Sequence, residues 1–270
     1  MSDFDLDAYF ARIGYGGPTE PTLETLTAIH GLQVSAIPFE NLDPLLGRPV
    51  NLDMESLQAK LVRSRRGGYC FELNALFKAA LEALGYAVTG LAGRPVWMAP
   101  PDAPLSSRTH MLLKVALPDG PYLADAGFGA QLLDAPLKLQ ADSEQSTPWA
   151  DWRLSHAEAA LSLAVRLPDG WQPTYIFTLE PQLPTDYEMG NWFTSTRPQS
   201  LFVNNLVAER LTDDRRYNLV NRKLTERARD GTAMVHTLTG AAELAEVLDK
   251  LFDIEPPAAA EAVFARLPAA

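Results

Sequence analysis

Apolar residues recur at helical spacing in three stretches of the first third of the chain. Leu23, Leu26 and Ile29 follow the start signal Pro18-Thr19-Glu20-Pro21 and predict a helix. A second is predicted over 54–65, with Asn51 or Asp53 as its cap. The third begins near Cys70. There Leu73, Leu76, Phe77, Ala80, Leu81 and Leu84 form one apolar stripe that Gly85 ends. Gly67-Gly68, just ahead of it, can take backbone angles that other residues avoid.

From about Tyr86 the period becomes alternating. Strands are predicted over 87–97, 110–117, 122–125, 159–167 and 175–179. Turn signals such as Pro118-Asp119-Gly120 and Pro168-Asp169-Gly170 separate them. The Pro- and Ser-rich stretch 99–107 is a loop too long to be a mere connection. Beyond Pro181-Gln182-Leu183-Pro184 the pattern is mixed, and a final helix is predicted over 241–252. Helices first, antiparallel strands next and a mixed segment last favour an α+β fold over an alternating parallel one.

Composition narrows the function classes. Apolar runs are broken by charge or proline well before the roughly 20 residues of a membrane span. The acidic start Met1-Ser2-Asp3-Phe4-Asp5 lacks the features of a secretion signal, so a cytoplasmic protein is expected. Lys and Arg number 23 against 34 Asp and Glu, a net charge of −11 that argues against nucleic acid and anionic membranes as partners. An anionic cosubstrate must then find a local positive patch or a helix N-terminus. One cysteine excludes an internal disulfide and a cysteine-rich metal site, and no metal is predicted.

That cysteine sits after Arg65-Arg66-Gly67-Gly68-Tyr69, at the opening of the third helix. Unpaired N–H groups and the helix dipole favour negative charge there, and the two arginines add to it. A free thiol with a pKa near 8.5 is only about 3% thiolate at pH 7, and lowering that value by about three units would ionise it almost fully. The paired glycines would let an acyl donor reach the sulfur without meeting a Cβ. The competing reading is a small core residue on a helix whose glycines make a tight entry.

A reactive thiol needs a base and a carboxylate to orient it. Of four histidines, His30 ends a helical run before Gly31, His156 lies in a polar stretch, and His236 reads as a surface strand residue. His110 opens a strand directly after the long loop, a rigid mount suited to catalysis. Asp125 ends the next strand, in a run so apolar that its charge needs a partner. A three-residue Pro118-Asp119-Gly120 turn would set Asp125 opposite Leu113, on the wrong face for His110. Pairing them then requires a four-residue loop or a bulge.

Arg66-Gly67-Gly68-Tyr69-Cys70-Phe71-Glu72 resembles the cysteine motif of the arylamine N-acetyltransferase family. Similarity extends to Ser35-Ala36-Ile37-Pro38-Phe39-Glu40-Asn41-Leu42, Arg108-Thr109-His110, Asp125-Ala126-Gly127-Phe128-Gly129 and Phe202-Val203-Asn204-Asn205, in the family's order. The resemblance implies a helical bundle over 1–86, an antiparallel β-barrel over 87–190 and an α/β lid over 191–270. The first two would share a papain-like arrangement. It also implies a Cys70-His110-Asp125 triad, acetyl-coenzyme A as cosubstrate, and arylamines, hydrazines or N-arylhydroxylamines as acceptors. By motif, Phe39, Phe128 and Phe202 would line the acceptor pocket, while Gly127 and Gly129 would approach coenzyme A. Pro95 departs from the usual pattern beside the pocket wall. Arg63, Arg65 and Arg66 read as a salt-bridged face, with attraction of coenzyme A phosphates as the alternative. An amide synthase, or another cysteine-dependent acyl transfer or hydrolysis, is the rival on the same fold.

Overall fold

The computed structural model describes residues 4–100 and 102–268. Parts of the acidic start, of the 99–107 loop and of the C-terminal tail therefore lie outside the described residues. The chain opens with α1 (Leu6–Ile13), α2 (Leu23–Ala36), the short strand β1 (Phe39–Glu40), α3 (Leu42–Leu45) and α4 (Met54–Leu57). Asp53 caps α4 by accepting the Ser56 N–H at 2.9 Å, and the helix continues as a π-helical segment, Gln58–Val62. α5 (Cys70–Ala83) follows the predicted stripe, with Gly85 just beyond it at a positive φ of 87°.

Eight strands come next: β2 (Ala87–Pro95), β3 (His110–Leu117), β4 (Gly120–Ala124), β5 (Leu137–Lys138), β6 (Ser143–Ser146), β7 (Asp151–Ala157), β8 (Ala160–Leu167) and β9 (Gly170–Phe177). They form one antiparallel sheet in the order β5-β4-β3-β2-β9-β8-β7-β6. The sheet curls into a nearly closed barrel. Its two edge strands are joined by a side chain, since Gln145 on β6 bonds both the N–H and the C=O of Lys138 on β5, at 2.7 and 2.9 Å. The strand β3 is buried on both faces. Met111, Leu113 and Val115 pack on the helical core with Leu73, Leu76 and Phe77, whereas Leu112 points into the barrel with Leu91, Phe128 and Tyr175. This double burial locks α5 and the barrel together and fixes the height at which His110 emerges.

The remainder holds α6 (Pro184–Thr196), α7 (Leu201–Asn204), β10 (Val207–Leu211), β11 (Arg215–Val220), β12 (Lys223–Ala228), β13 (Ala233–Thr237), α8 (Ala241–Lys250) and α9 (Ala260–Phe264). A second antiparallel sheet runs β1-β10-β11-β12-β13, so a strand from the N-terminal segment forms its edge. Its core joins Leu42 and Leu45 of α3 to Leu244, Val247 and Leu248 of α8. The overall order is α+β, as expected. Among the described residues no helix is long and apolar enough to cross a membrane.

Candidate active site

Cys70 is the first residue of α5 and is 3% exposed; its Sγ–H donates to the Thr109 carbonyl at 3.5 Å. The approach to it differs from the sequence expectation in two ways. Gly67 and Gly68 do not clear a path for a donor. A Cβ on Gly67 would lie 2.1 Å from the Pro38 carbonyl oxygen, because this segment packs edge-on against β1. Glycine is required there by backbone approach. The arginines are also committed elsewhere. Arg65 pairs with Asp249 and Asp253, and Arg66 with Glu40 and Asp43 at 2.7 and 2.9 Å; Arg63 bonds the Glu55 carbonyl.

Arg66 belongs to a buried charge cluster beneath the nucleophile. Lys60 bridges Asp43 and Glu72, both at 2.7 Å, and Glu72 accepts the Tyr69 N–H at 3.1 Å. Burial raises the Glu72 pKa, with Lys60 opposing. Removing one member strands its partners as uncompensated buried charge. Arg66→Ala is therefore expected to cost about 3–5 kcal/mol of folding stability, read as a drop in urea midpoint, whereas Arg63→Ala costs under about 1 kcal/mol.

His110 and Asp125 meet. His110 Nε2 lies 2.6 Å from Asp125 Oδ2, with both side chains almost fully buried. The turn that brings them together is a correction: Leu117 pairs Gly120 and Leu113 pairs Ala124, so the loop is the two residues Pro118-Asp119. Neither the three-residue turn nor a longer loop occurs. This register carries Asp125 one step past the strand end, across from Leu112 and on the same face as His110, where a diagonal contact is in reach.

Three further residues hold this pair, and none was singled out from the sequence. Asn74, one turn beyond Cys70 on α5, donates to Asp125 Oδ1 at 2.9 Å and to the Met111 carbonyl at 2.7 Å. Its own carbonyl oxygen accepts the Ala126 N–H. The i, i+4 spacing from the cysteine was its available signal. His30 does not face a helix end. It lies within α2, is fully buried against Phe77, and its Nε2 sits 3.1 Å from the Asp125 main-chain oxygen. Burial lowers its pKa, so it donates there as a neutral ring. The Tyr175 ring packs on His110 at 4.7 Å. His156 and His236 are exposed on β7 and β13.

The electrostatics of the pair follow from this packing. Burial alone lowers the His110 pKa, but the Asp125 charge and hydrogen bond, with a further contribution from Cys70, push it up to about 10. Burial raises that of Asp125, yet the His110 cation and the bonds from Asn74 and the Gly127 N–H hold it below the ordinary range. With Nε2 committed to the carboxylate, Nδ1 is the nitrogen left to exchange a proton. Gly127 closes the loop onto α5, where a Cβ would stand 2.7 Å from the Cys70 Cα.

Cys70 and His110 open onto a cavity of about 590 Å³. Phe39, Phe128 and Phe202 all line it, as do Gly127, Gly129 and Pro95. Phe39 and Phe202 are 5.8 Å apart between ring centres, and a Cβ on Gly129 would strike the Phe39 ring. Among the described residues no cluster of His, Cys, Asp or Glu is placed to hold a metal ion.

A helix-borne thiol beside a barrel-borne imidazole and carboxylate is a layout suited to acyl transfer. The family model described as N-acetyltransferase matches residues 22–260. The chain is 45% identical to an arylamine N-acetyltransferase of Mycolicibacterium smegmatis, over 93% of this chain and 92% of that one. It is 44% identical to an arylamine N-acetyltransferase / N-hydroxyarylamine O-acetyltransferase of Salmonella typhimurium, over 82% and 78%. The solved structure of Mycobacterium marinum arylamine N-acetyltransferase in complex with CoA superposes with a TM-score of 0.93 at 42% identity, covering 97% of this chain and 98% of that one. The chain belongs to the arylamine N-acetyltransferase family.

Proposed function

We propose that this protein transfers an acetyl group from acetyl-coenzyme A to the nitrogen of arylamines in the cytoplasm, through an acetyl-Cys70 intermediate. Hydrazines and N-arylhydroxylamines are further acceptors of the same reaction; an aniline nitrogen is weakly basic and arrives unprotonated at neutral pH. The observation that carries the reading is the 2.6 Å contact between His110 Nε2 and Asp125 Oδ2 at the wall of the cavity that holds Cys70.

Before the first half-reaction the Cys70 proton has passed to His110, whose pKa is pushed up to about 10, and Asp125 stabilises the imidazolium. The sulfur attacks the thioester carbonyl. Stabilisation of the tetrahedral oxyanion is assigned to first-turn N–H groups of α5, which a helix start leaves without intrahelical partners. As coenzyme A leaves, His110 returns the proton to its sulfur. Cys70 is then a neutral thioester, so His110 loses one of its two anionic neighbours and its pKa falls, which leaves the ring unprotonated and available to take the amine proton in the second half-reaction. That proton ends on the Cys70 sulfur, which restores the enzyme. Phe39, Phe128 and Phe202 provide a dry, π-rich pocket for the aromatic ring and slow hydrolysis of the intermediate. The loop of Gly127 and Gly129, packed against Cys70 and Phe39, is where the pantetheine arm of the donor would approach the sulfur.

Incubating the protein with acetyl-coenzyme A and no acceptor tests this. One acetyl group should appear on the intact mass and map to the peptide holding Cys70, then vanish on adding an arylamine. Coenzyme A release with no retained acetyl would instead mark a hydrolase.

A further inference from the structure

Arg197 is the unexplained charge in the cavity. It caps the end of α6 and lines the same space as Cys70 and His110. Its guanidinium stands 5.0 Å above the Phe193 ring, and its Nε reaches Gln199 Oε1 at 3.2 Å. Among the described residues no carboxylate lies within ion-pair distance of it, whereas Arg65, Arg66, Arg108 and Arg216 are each paired. The two Nη groups are left to face solvent and ligand. Pro198 follows and holds Arg197 in an extended conformation, with φ −62° and ψ 127°, so the side chain is presented from a fixed base.

We propose that Arg197 forms an anion subsite in the acceptor cavity and selects arylamines that carry a carboxylate on the ring, a specificity that rests on Cys70 acetylation as read above. The rest of the lining is largely aromatic or apolar, and a net charge of −11 repels anionic acceptors unless a local cation offsets it. A guanidinium grips a carboxylate through two parallel N–H bonds, and its planar face is already set on Phe193. Arg197, Cys70 and His110 line one cavity of about 590 Å³, a volume that admits a single-ring acceptor. A separate groove continues past Gly129 and Ala130 toward Asn218 and Arg227, and Arg197 does not line it.

Binding of 4-aminobenzoate and of uncharged 4-aminobenzamide to the unacetylated protein, by titration calorimetry, reads the subsite directly. Kinetics with the same two acceptors and acetyl-coenzyme A read its use. The benzoate-to-benzamide ratio should fall about tenfold or more in Arg197→Gln, survive in part in Arg197→Lys, and narrow in the wild type as salt is added. An unchanged ratio in Arg197→Gln overturns the proposal. So does a raised KM for acetyl-coenzyme A with that ratio intact, which would assign the guanidinium to the donor's phosphates. If neither acceptor is acetylated by the wild type, the reading of Cys70 fails, and the binding ratio still decides Arg197.

Discussion

Cys70→Ala is expected to lower acetyl transfer by about a millionfold, the order of loss when a covalent nucleophile is deleted. Both half-reactions pass through one sulfur, and the chain has no second cysteine to replace it. The variant should fold. Alanine is a good helix former at the first position of α5, and the side chain gives up only its weak bond to the Thr109 carbonyl and its contact with His110. A thermal midpoint within a few degrees of wild type would separate lost chemistry from lost structure. Release of coenzyme A, followed with and without an arylamine, is the readout. Turnover above about one hundredth of wild type, far over the residue left by binding alone, would mean that the amine attacks acetyl-coenzyme A directly. The sulfur would then be a bystander.

The parts of the fold that were legible in the sequence are those where apolar side chains alone face the core. The α5 stripe and the apolar run of β3 are such places, and their bounds follow the pattern closely. α6 was invisible for the opposite reason. Its buried face is Tyr187, Asn191, Thr194 and Ser195, while Met189 and Trp192 are exposed, so the hydrophobic signal is inverted. Its inward face bonds main chain and side chains instead: Asn191 donates to the Val50 carbonyl and receives the Tyr69 hydroxyl. His30 and Asn74 were missed on the same ground. Each is a buried polar group whose partner is distant in sequence, and helical periodicity carries no information about such partners. The candidate triad was legible through motifs, and its geometry was not. One residue of turn length decides which face Asp125 occupies, and Pro118-Asp119-Gly120 is compatible with more than one turn.

Asp125→Asn is expected to lower kcat/KM by about 10⁴ while leaving the protein folded. An amide keeps the shape. Its oxygen still accepts from Asn74 and the Gly127 N–H, so its NH₂ group must face His110 Nε2. That forces the imidazole proton onto Nδ1, the nitrogen that has to take the thiol proton, and the base is disarmed. The pH dependence gives an independent check. His110 has a folded pKa of about 10, raised against burial chiefly by Asp125. Its contribution to stability is complete below the ordinary histidine value near 6.5 and is lost as pH rises through about 10. Asp125 is depressed, so its share is present above its ordinary value of about 4 and is lost as pH falls through the folded one. The urea midpoint of wild type should therefore exceed that of Asp125→Asn most at about pH 4–6.5, with the gap shrinking steadily toward pH 10. A gap that stayed constant over that range would show that the carboxylate acts through shape and hydrogen bonding alone. The charge pairing that arms the imidazole would then have to be abandoned, even if the loss of turnover were as large as expected.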